Sequence, residues 1–222
     1  MFGLKPINVP SPFEAWIAEL HTEPTEPLLA SLSQAERQRA GRFVFARDRR
    51  RYLAAHCALH HLLAVRTGVP AEALRFAEGP HGKPSLASRP ACAFNLSHSE
   101  DIALFALADE GEIGVDVEML RPMHDATELA ERNFSRAECA ELASTPPKLR
   151  DLAFLLGWTR KEACLKAIGS GLSIAPHGFT AGLGTEACHT SIVTPAGPVG
   201  VVVQTFVAGP QFVASVARVV PG

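Results

Sequence analysis

Ile113-Gly114-Val115-Asp116-Val117-Glu118 sets two acids in alternation with apolar residues, directly after a Gly-containing turn at Asp109-Glu110-Gly111. Period-two alternation predicts a short β-strand, which projects Asp116 and Glu118 from one face. Two carboxylates so placed repel each other unless a positive charge lies between them. A hard divalent cation supplies that charge, and Mg²⁺ is usually held by one or two carboxylates together with substrate phosphates. The hexapeptide is equally consistent with an edge strand showing two solvated acids to water. Its surroundings have to separate the two readings.

Moving outward toward the N-terminus, Ala91 to Leu96 and Ile102 to Ala108 predict two strands, with Ser97-His98-Ser99-Glu100-Asp101 as the loop between them. His81-Gly82-Lys83-Pro84 is a turn. A long helix is expected from about Asp48 to Arg66, with Leu53, Cys57, Leu59, Leu63 and Ala64 near one face and Gly68 ending it. Ser33-Gln34-Ala35-Glu36 is a capping box that starts a helix at Ser33. Phe13 to Leu20 reads as a short helix. The first half is thus expected to run helix, helix, strand, strand, strand.

Toward the C-terminus, Arg121 to Asn133 is acid-rich and helical, and Ser135-Arg136-Ala137-Glu138 is a second capping box for a helix through Leu142. Pro146-Pro147 interrupts the chain before a helix of about Leu149 to Ile168, closed by Gly169 and Gly171. Four strands follow, at His177 to Gly182, Cys188 to Val193, Val199 to Val207 and Phe212 to Val219. Both halves go from helices to a small antiparallel sheet, although no residue-level repeat is visible.

The 222 residues, 47% hydrophobic and 20% charged, describe an ordinary soluble globular chain able to bury a core. The net charge of −2 argues neither for nor against nucleic acid as a bulk partner. Charge is nevertheless uneven: seven arginines and one acid, Asp48, lie between Arg37 and Arg51, which suggests a local anion-binding face. Cys57, Cys92, Cys139, Cys164 and Cys188 are odd in number and form no CxxC pair, so neither a disulfide framework nor a zinc site is indicated. With no signal peptide and no apolar run long enough to span a bilayer, a cytoplasmic protein without a membrane partner is expected.

Trp158, Glu162 and Lys166 recur at spacing four and share a helix face. They read either as a surface Glu–Lys pair beside a buried Trp, worth about 0.2–0.5 kcal/mol, or as a third carboxylate for a metal with a lysine beside a phosphate. Phe94-Asn95-Leu96-Ser97-His98-Ser99 lacks the G-x-S-x-G elbow, and adjacent Ser and His diverge on a strand, so no hydrolase triad is present. Anion binding by the hydroxyl and imidazole, or a histidine satisfied by loop backbone, are the readings left. Lys83 suits a phosphate contact or an ordinary surface site, and the arginine cluster either grips phosphate or keeps a helix soluble. Neither a Walker loop, a dinucleotide fingerprint nor an HExxH pattern occurs. Together the signals describe three carboxylates, one Mg²⁺ and surrounding Lys, Arg and His for several phosphates. The acids come from different halves, so the site is expected in the cleft between them.

These pieces resemble the Sfp-type 4′-phosphopantetheinyl transferases. The matching motifs are HGKP at 81–84, FNLSHS at 94–99, IGVDVE at 113–118, NFSRAE at 133–138 and WTRKEACLKAIGSGL at 158–172, in the family's order and at its separations. GRFVFARDRRRYLAAH at 41–56 also looks like the family's N-terminal region, so the resemblance covers about residues 33–172. It implies a pseudo-dimeric α/β (α+β) fold of two similar subdomains, here 1–120 and 121–222, each with helices on a small, mostly antiparallel sheet. It further implies Asp116, Glu118 and Glu162 as Mg²⁺ ligands and Lys166 as a coenzyme A phosphate contact. Glu162, or a water it orients, is the implied base. Ser97 and His98 would bind nucleotide phosphate, His98 taking the 3′-phosphate, with Lys83, Arg39 and Arg51 nearby. Some relatives carry a basic residue where this chain has Glu36, so Arg37 or Arg39 is expected to replace that contact. Val117 cannot ligate through its side chain, and Glu138 is expected to be structural or supporting.

The implied reaction moves the 4′-phosphopantetheine arm of coenzyme A to a serine of an acyl, peptidyl or aryl carrier protein, releasing 3′,5′-ADP. A monomer with no nucleic-acid partner is expected. A coenzyme A or nucleotide-binding module and a Mg²⁺-dependent phosphohydrolase are the rivals. The hydrolase would release 3′,5′-ADP without any carrier.

Overall fold

Twenty-two residues free of internal Gly and Pro form the long helix Ala46–Thr67, and Gly68 ends it in the left-handed conformation at φ 71°. In the computed structural model of the chain, residues 3–9, 13–79, 81–87, 92–206 and 211–220 are described. Internal contacts divide the chain into two units, Met1–Glu78 with Pro84–Glu110 and Gly79–Lys83 with Gly111–Gly222.

In the first unit, β1 (Lys5–Ile7), β2 (Glu14–Glu19), β5 (Ala93–Ser99) and β6 (Ile102–Ala108) form an antiparallel sheet in the order β1-β2-β6-β5. The short hairpin strands β3 (Phe76–Glu78) and β4 (Pro84–Leu86) pair apart from it. Helices α1 (Glu26–Leu29), α2 (Gln34–Ala40) and α3 (Ala46–Thr67) complete the unit. One side of α3, including Ala54, Ala58, Leu59 and Leu63, packs into a core with Ala103, Phe105 and Leu107 of β6. Another, with Tyr52, Leu53 and Cys57, is covered by Leu28, Leu32 and Ala40. That second cover explains why burial on α3 is wider than a single apolar stripe.

Two expectations fail here. The segment expected as a helix over 13–20 is strand β2, because Glu14–Glu19 finds ladder partners in both β1 and β6 and tertiary pairing overrides local preference. The expected loop at 97–101 is shorter. β5 runs on to Ser99, which pairs with Ile102, and only Glu100 and Asp101 turn the chain. Glu100 takes a positive φ of 51°.

That turn is fastened to α3. Asp101 accepts from Arg50 Nη2 (3.0 Å) and Arg51 Nε (2.9 Å), while Arg51 also reaches Glu100 Oε2 (2.7 Å). The Arg51 guanidinium, against partial burial and with help from Arg50, holds the Asp101 carboxyl down at about 2. A carboxyl depressed in the fold stabilises above its unfolded value near 4 and loses that contribution as pH falls through about 2. Asp101→Asn is therefore expected to cost about 1 kcal/mol at neutral pH after solvent screening. Urea melts at pH 7 and pH 2 should converge for variant and parent at the acid end; an equal gap at both would refute the tie.

In the second unit, β7 (Ile113–Met119), β8 (Cys188–Thr194), β9 (Gly197–Phe206) and β10 (Phe212–Val220) form an antiparallel sheet in the order β7-β10-β9-β8. Helices α4 (Ala126–Asn133), α5 (Arg136–Ser144) and α6 (Pro147–Ile168) pack with it. Each unit is thus a 22-residue helix with a four-stranded antiparallel sheet. The expected boundary at 120/121 falls inside the second unit, because β7 finds its ladder partner in β10.

The strand expected over 177–182 is instead a 3₁₀ turn at Pro176–Gly178 followed by irregular chain. Its polar backbone is satisfied by buried side chains rather than by a ladder. Glu138 Oε1 accepts from Ala181 N (2.8 Å) and Gly182 N (3.0 Å). Lys161 Nζ donates to Phe179 O (2.6 Å) and Pro176 O (2.9 Å), and Arg160 Nε donates to Ala181 O (2.5 Å). Glu138 and Lys161 pair at 2.8 Å with both side chains at 0% exposure.

Both capping boxes form. Ser33 and Glu36 cap α2, Ser135 and Glu138 cap α5, and in each the glutamate also reaches a long helix. Glu36 Oε1 lies 2.9 Å from His56 Nδ1 and 3.0 Å from His60 Nε2. Burial pushes the Glu36 carboxyl up, but His56, His60 and Ser33 outweigh it and hold the group well below the usual carboxylate range. The five cysteines are free thiols, and burial pushes Cys57 and Cys164 up to about 12. No helix among the described residues is long and apolar enough to cross a membrane.

Candidate active site

Gly114 lets β7 lie against the backbone of α6. A Cβ there would stand 2.2 Å from Ala163 O and 2.3 Å from Ala167 N. Only a residue without a side chain permits this approach. Asp116 and Glu118, two and four residues on, share the face that Gly114 presents to the helix. From α6, Glu162 and Lys166 meet them.

Lys166 Nζ donates to Asp116 Oδ1 at 2.7 Å, and Asp116 is 5% exposed. Burial pushes the Glu162 carboxyl up, and the charges of Asp116 and Glu118 push it the same way against Lys166. Three carboxylates therefore lie within electrostatic reach of one another. Hard oxygen donors in mutual repulsion are the chemistry a divalent cation relieves, so the donor set fits Mg²⁺. Among the described residues, no three or more His, Cys, Asp or Glu stand gathered as a closed ligand group.

All three acids belong to the second unit, which corrects the expectation that they come from different halves. The strand–helix contact at Gly114 assembles them within one unit.

Lys83 belongs to the same unit and donates to Glu112 Oε2 (2.6 Å) and to Ala167 O near the end of α6 (2.8 Å). The remaining expected phosphate contacts lie in the first unit. On β5, Ser97 is buried and His98 exposed, the divergence a strand imposes. Arg39 is exposed, with its guanidinium 5.6 Å from the Tyr52 ring centroid. Arg51 is held by Asp101, Glu100 and Asp48, so its visible task is to fix the β5–β6 turn. Arg37 donates to Leu32 O and Ala30 O, and Glu36 is taken up by the two histidines.

Sequence reasoning missed a polar row beside Asp116. Ser215 is its ladder partner, and Thr205 in turn pairs with Ser215. The buried hydroxyls are chained, Thr159 to Ser215 at 2.9 Å and Ser215 to Thr205 at 2.8 Å, and Arg160 Nη1 donates to Thr205 at 3.2 Å. The available signal was a lone hydroxyl in each of two strongly apolar strands.

Two family descriptions match the chain, "4'-phosphopantetheinyl transferase superfamily" over residues 112–191 and "4'-phosphopantetheinyl transferase, N-terminal" over residues 19–110. The matched segments part where the two units do. The chain is 34% identical over 187 residues to the 4'-phosphopantetheinyl transferase psf-1 of Bacillus pumilus, covering 84% of this chain and 78% of that protein. It is 40% identical over 151 residues to the 4'-phosphopantetheinyl transferase HetI of Nostoc sp. (67% of this chain, 64% of HetI). A putative 4'-phosphopantetheinyl transferase, slr0495 of Synechocystis sp., is 39% identical over 146 residues (65% of this chain, 59% of that one). The matches thus span less than two thirds of the length of the latter two relatives.

Proposed function

This chain belongs to the 4′-phosphopantetheinyl transferase superfamily, and on that premise we propose that it transfers the 4′-phosphopantetheine arm of coenzyme A to a serine of a carrier protein, with Mg²⁺ as its metal and 3′,5′-ADP as the product released. One observation carries the reading: the β7 face that bears Asp116 and Glu118 lies against α6, which bears Glu162 and Lys166, and Lys166 Nζ donates to Asp116 Oδ1 at 2.7 Å.

Asp116, Glu118 and Glu162 would hold the metal. Bound there, Mg²⁺ supplies charge neutralisation to a pyrophosphate. Lys166 brings a cation to the same place and adds to electrostatic stabilisation of the phosphoryl oxygens. Glu162 is assigned the serine proton, directly or through a water it orients. The serine oxygen then bonds to the pantetheine-linked phosphorus, and the bond to the bridging oxygen of 3′,5′-ADP breaks. His98, Ser97, Arg39 and Lys83 are assigned to the phosphates of coenzyme A, and Arg51 to the support of the turn beside them.

Intact-mass spectrometry of purified apo acyl, peptidyl and aryl carrier proteins, incubated with the protein, coenzyme A and Mg²⁺, tests the reading. One arm should be gained on a carrier, and EDTA should prevent it. Asp116→Ala should lower turnover by about 10²–10³-fold, the size of a lost electrostatic contact in a transition state, with the fold retained. Transfer at the parent rate in that variant would remove Asp116 from the site. Release of 3′,5′-ADP in the absence of any carrier would favour hydrolysis instead.

A further inference from the structure

The loop joining α2 to α3 sets three successive apolar residues into solvent, Phe43 at 38%, Val44 at 90% and Phe45 at 60% exposure. A run of this kind is unfavourable at a surface that stays wet and marks a place where something else docks. The loop is anchored rather than loose. The Phe43 ring lies 5.4 Å from that of the buried Tyr52, and the Arg47 guanidinium lies 5.5 Å from the Phe45 ring centroid.

The charge around it is one-sided. Of the seven arginines between Arg37 and Arg51, Arg37 is spent on backbone carbonyls, and Arg50 and Arg51 are spent on the acids of the β5–β6 turn. Arg42 and Arg49 are exposed and make no ion pair among the described residues, and exposed Arg47 meets only Asp48, at 3.6 Å. An apolar centre containing aromatics and rimmed by arginine has the anatomy of a protein-docking surface. Its occupant must be acidic at the rim and apolar at the centre. The most exposed member, Val44, has no ring on which a nucleic-acid base could stack. One three-residue tip is also too small an apolar face for stable attachment to a membrane.

We propose that Phe43-Val44-Phe45, rimmed by Arg42, Arg47 and Arg49, is the surface on which the protein acceptor of the arm docks, through an acidic patch of that acceptor with an apolar side chain at its centre. The proposal rests on the transferase reading for the identity of the acceptor. Its energetics are those of steering by the rim and holding by the centre, so the charge should govern association and the apolar tip dissociation.

The test uses Val44→Glu/Phe45→Glu and, separately, Arg42→Glu/Arg47→Glu. The probe is a fluorescein-labelled apo acyl carrier protein whose acceptor serine is replaced by alanine, followed by anisotropy, with coenzyme A affinity and melting temperature measured alongside. Both variants should weaken carrier binding, and raise the carrier KM in transfer assays, by tenfold or more. Coenzyme A affinity and melting temperature should not move. Unchanged carrier binding in both variants would overturn the proposal. So would wild-type self-association that the variants abolish, or wild-type binding to phosphatidylglycerol vesicles that the variants lose while carrier binding persists. The two readings fail separately: carrier binding lost in the variants but no arm ever transferred by the parent sinks the transferase, and equal transfer by parent and variants sinks the docking surface.

Discussion

Gly114→Ala is expected to cost the second unit its fold, with a destabilisation of about 4 kcal/mol or more, in the range reserved for severe core lesions. The added methyl would lie 2.2 Å from Ala163 O and 2.3 Å from Ala167 N, both backbone atoms inside a 22-residue helix. Neither can yield without breaking helix hydrogen bonds or lifting α6 from the sheet, and Ala163, Leu165 and Ala167 are packed there with Val201, Val203 and Ala217. Gly178→Ala serves as the control, because a Cβ at Gly178 meets nothing within 4 Å. Urea unfolding followed by Trp158 fluorescence, with Trp16 changed to Phe, reports the second unit alone. A soluble Gly114→Ala protein with the parent midpoint would mean that the helix and strand are not held as close as described.

Gly114 also marks where the sequence stopped being sufficient. The alternation of acids and apolar residues correctly gave a strand with Asp116 and Glu118 on one face, and spacing four correctly put Glu162 and Lys166 together. Both follow from local geometry alone. What spacing cannot express is which sheet a strand joins. β7 follows β5 and β6 in the chain, yet it pairs with β10 almost a hundred residues later, where Asp116 faces Ser215. The supposed division of the acids between two halves came from reading order along the chain as order in space. The β2 segment failed for a related reason: Glu14–Glu19 is short enough to suit either period, and its ladder partners decided it.

Lys161→Ala is the second large lesion, expected to cost about 3–5 kcal/mol because it leaves the Glu138 carboxylate buried without its cation. Burial pulls the Lys161 ammonium down and Glu138 pulls it back up. Its three oxygen partners, Glu138, Phe179 O and Pro176 O, all lose a donor in the variant. Glu138→Gln/Lys161→Met should be less damaging than Lys161→Ala, since an amide oxygen can still accept from Ala181 N and Gly182 N while no ion remains. Chemical denaturation of Glu138→Gln, of Lys161→Met and of the double variant closes the cycle. Additive losses would show that the ion pair contributes nothing of its own.

The two glutamates that close the capping boxes have a bearing on ancestry. His60, the partner of Glu36, stands eight residues before the glycine that ends its helix (60 to 68), and Lys161, the partner of Glu138, stands eight before its own (161 to 169). A shared offset, a shared Ser-x-x-Glu cap and a shared helix length are what duplication of one ancestral half leaves after its side chains have diverged. In the first unit the capping carboxylate faces imidazoles and in the second an ammonium, and only the second unit sets a strand bearing Asp116 and Glu118 against a helix bearing Glu162 and Lys166.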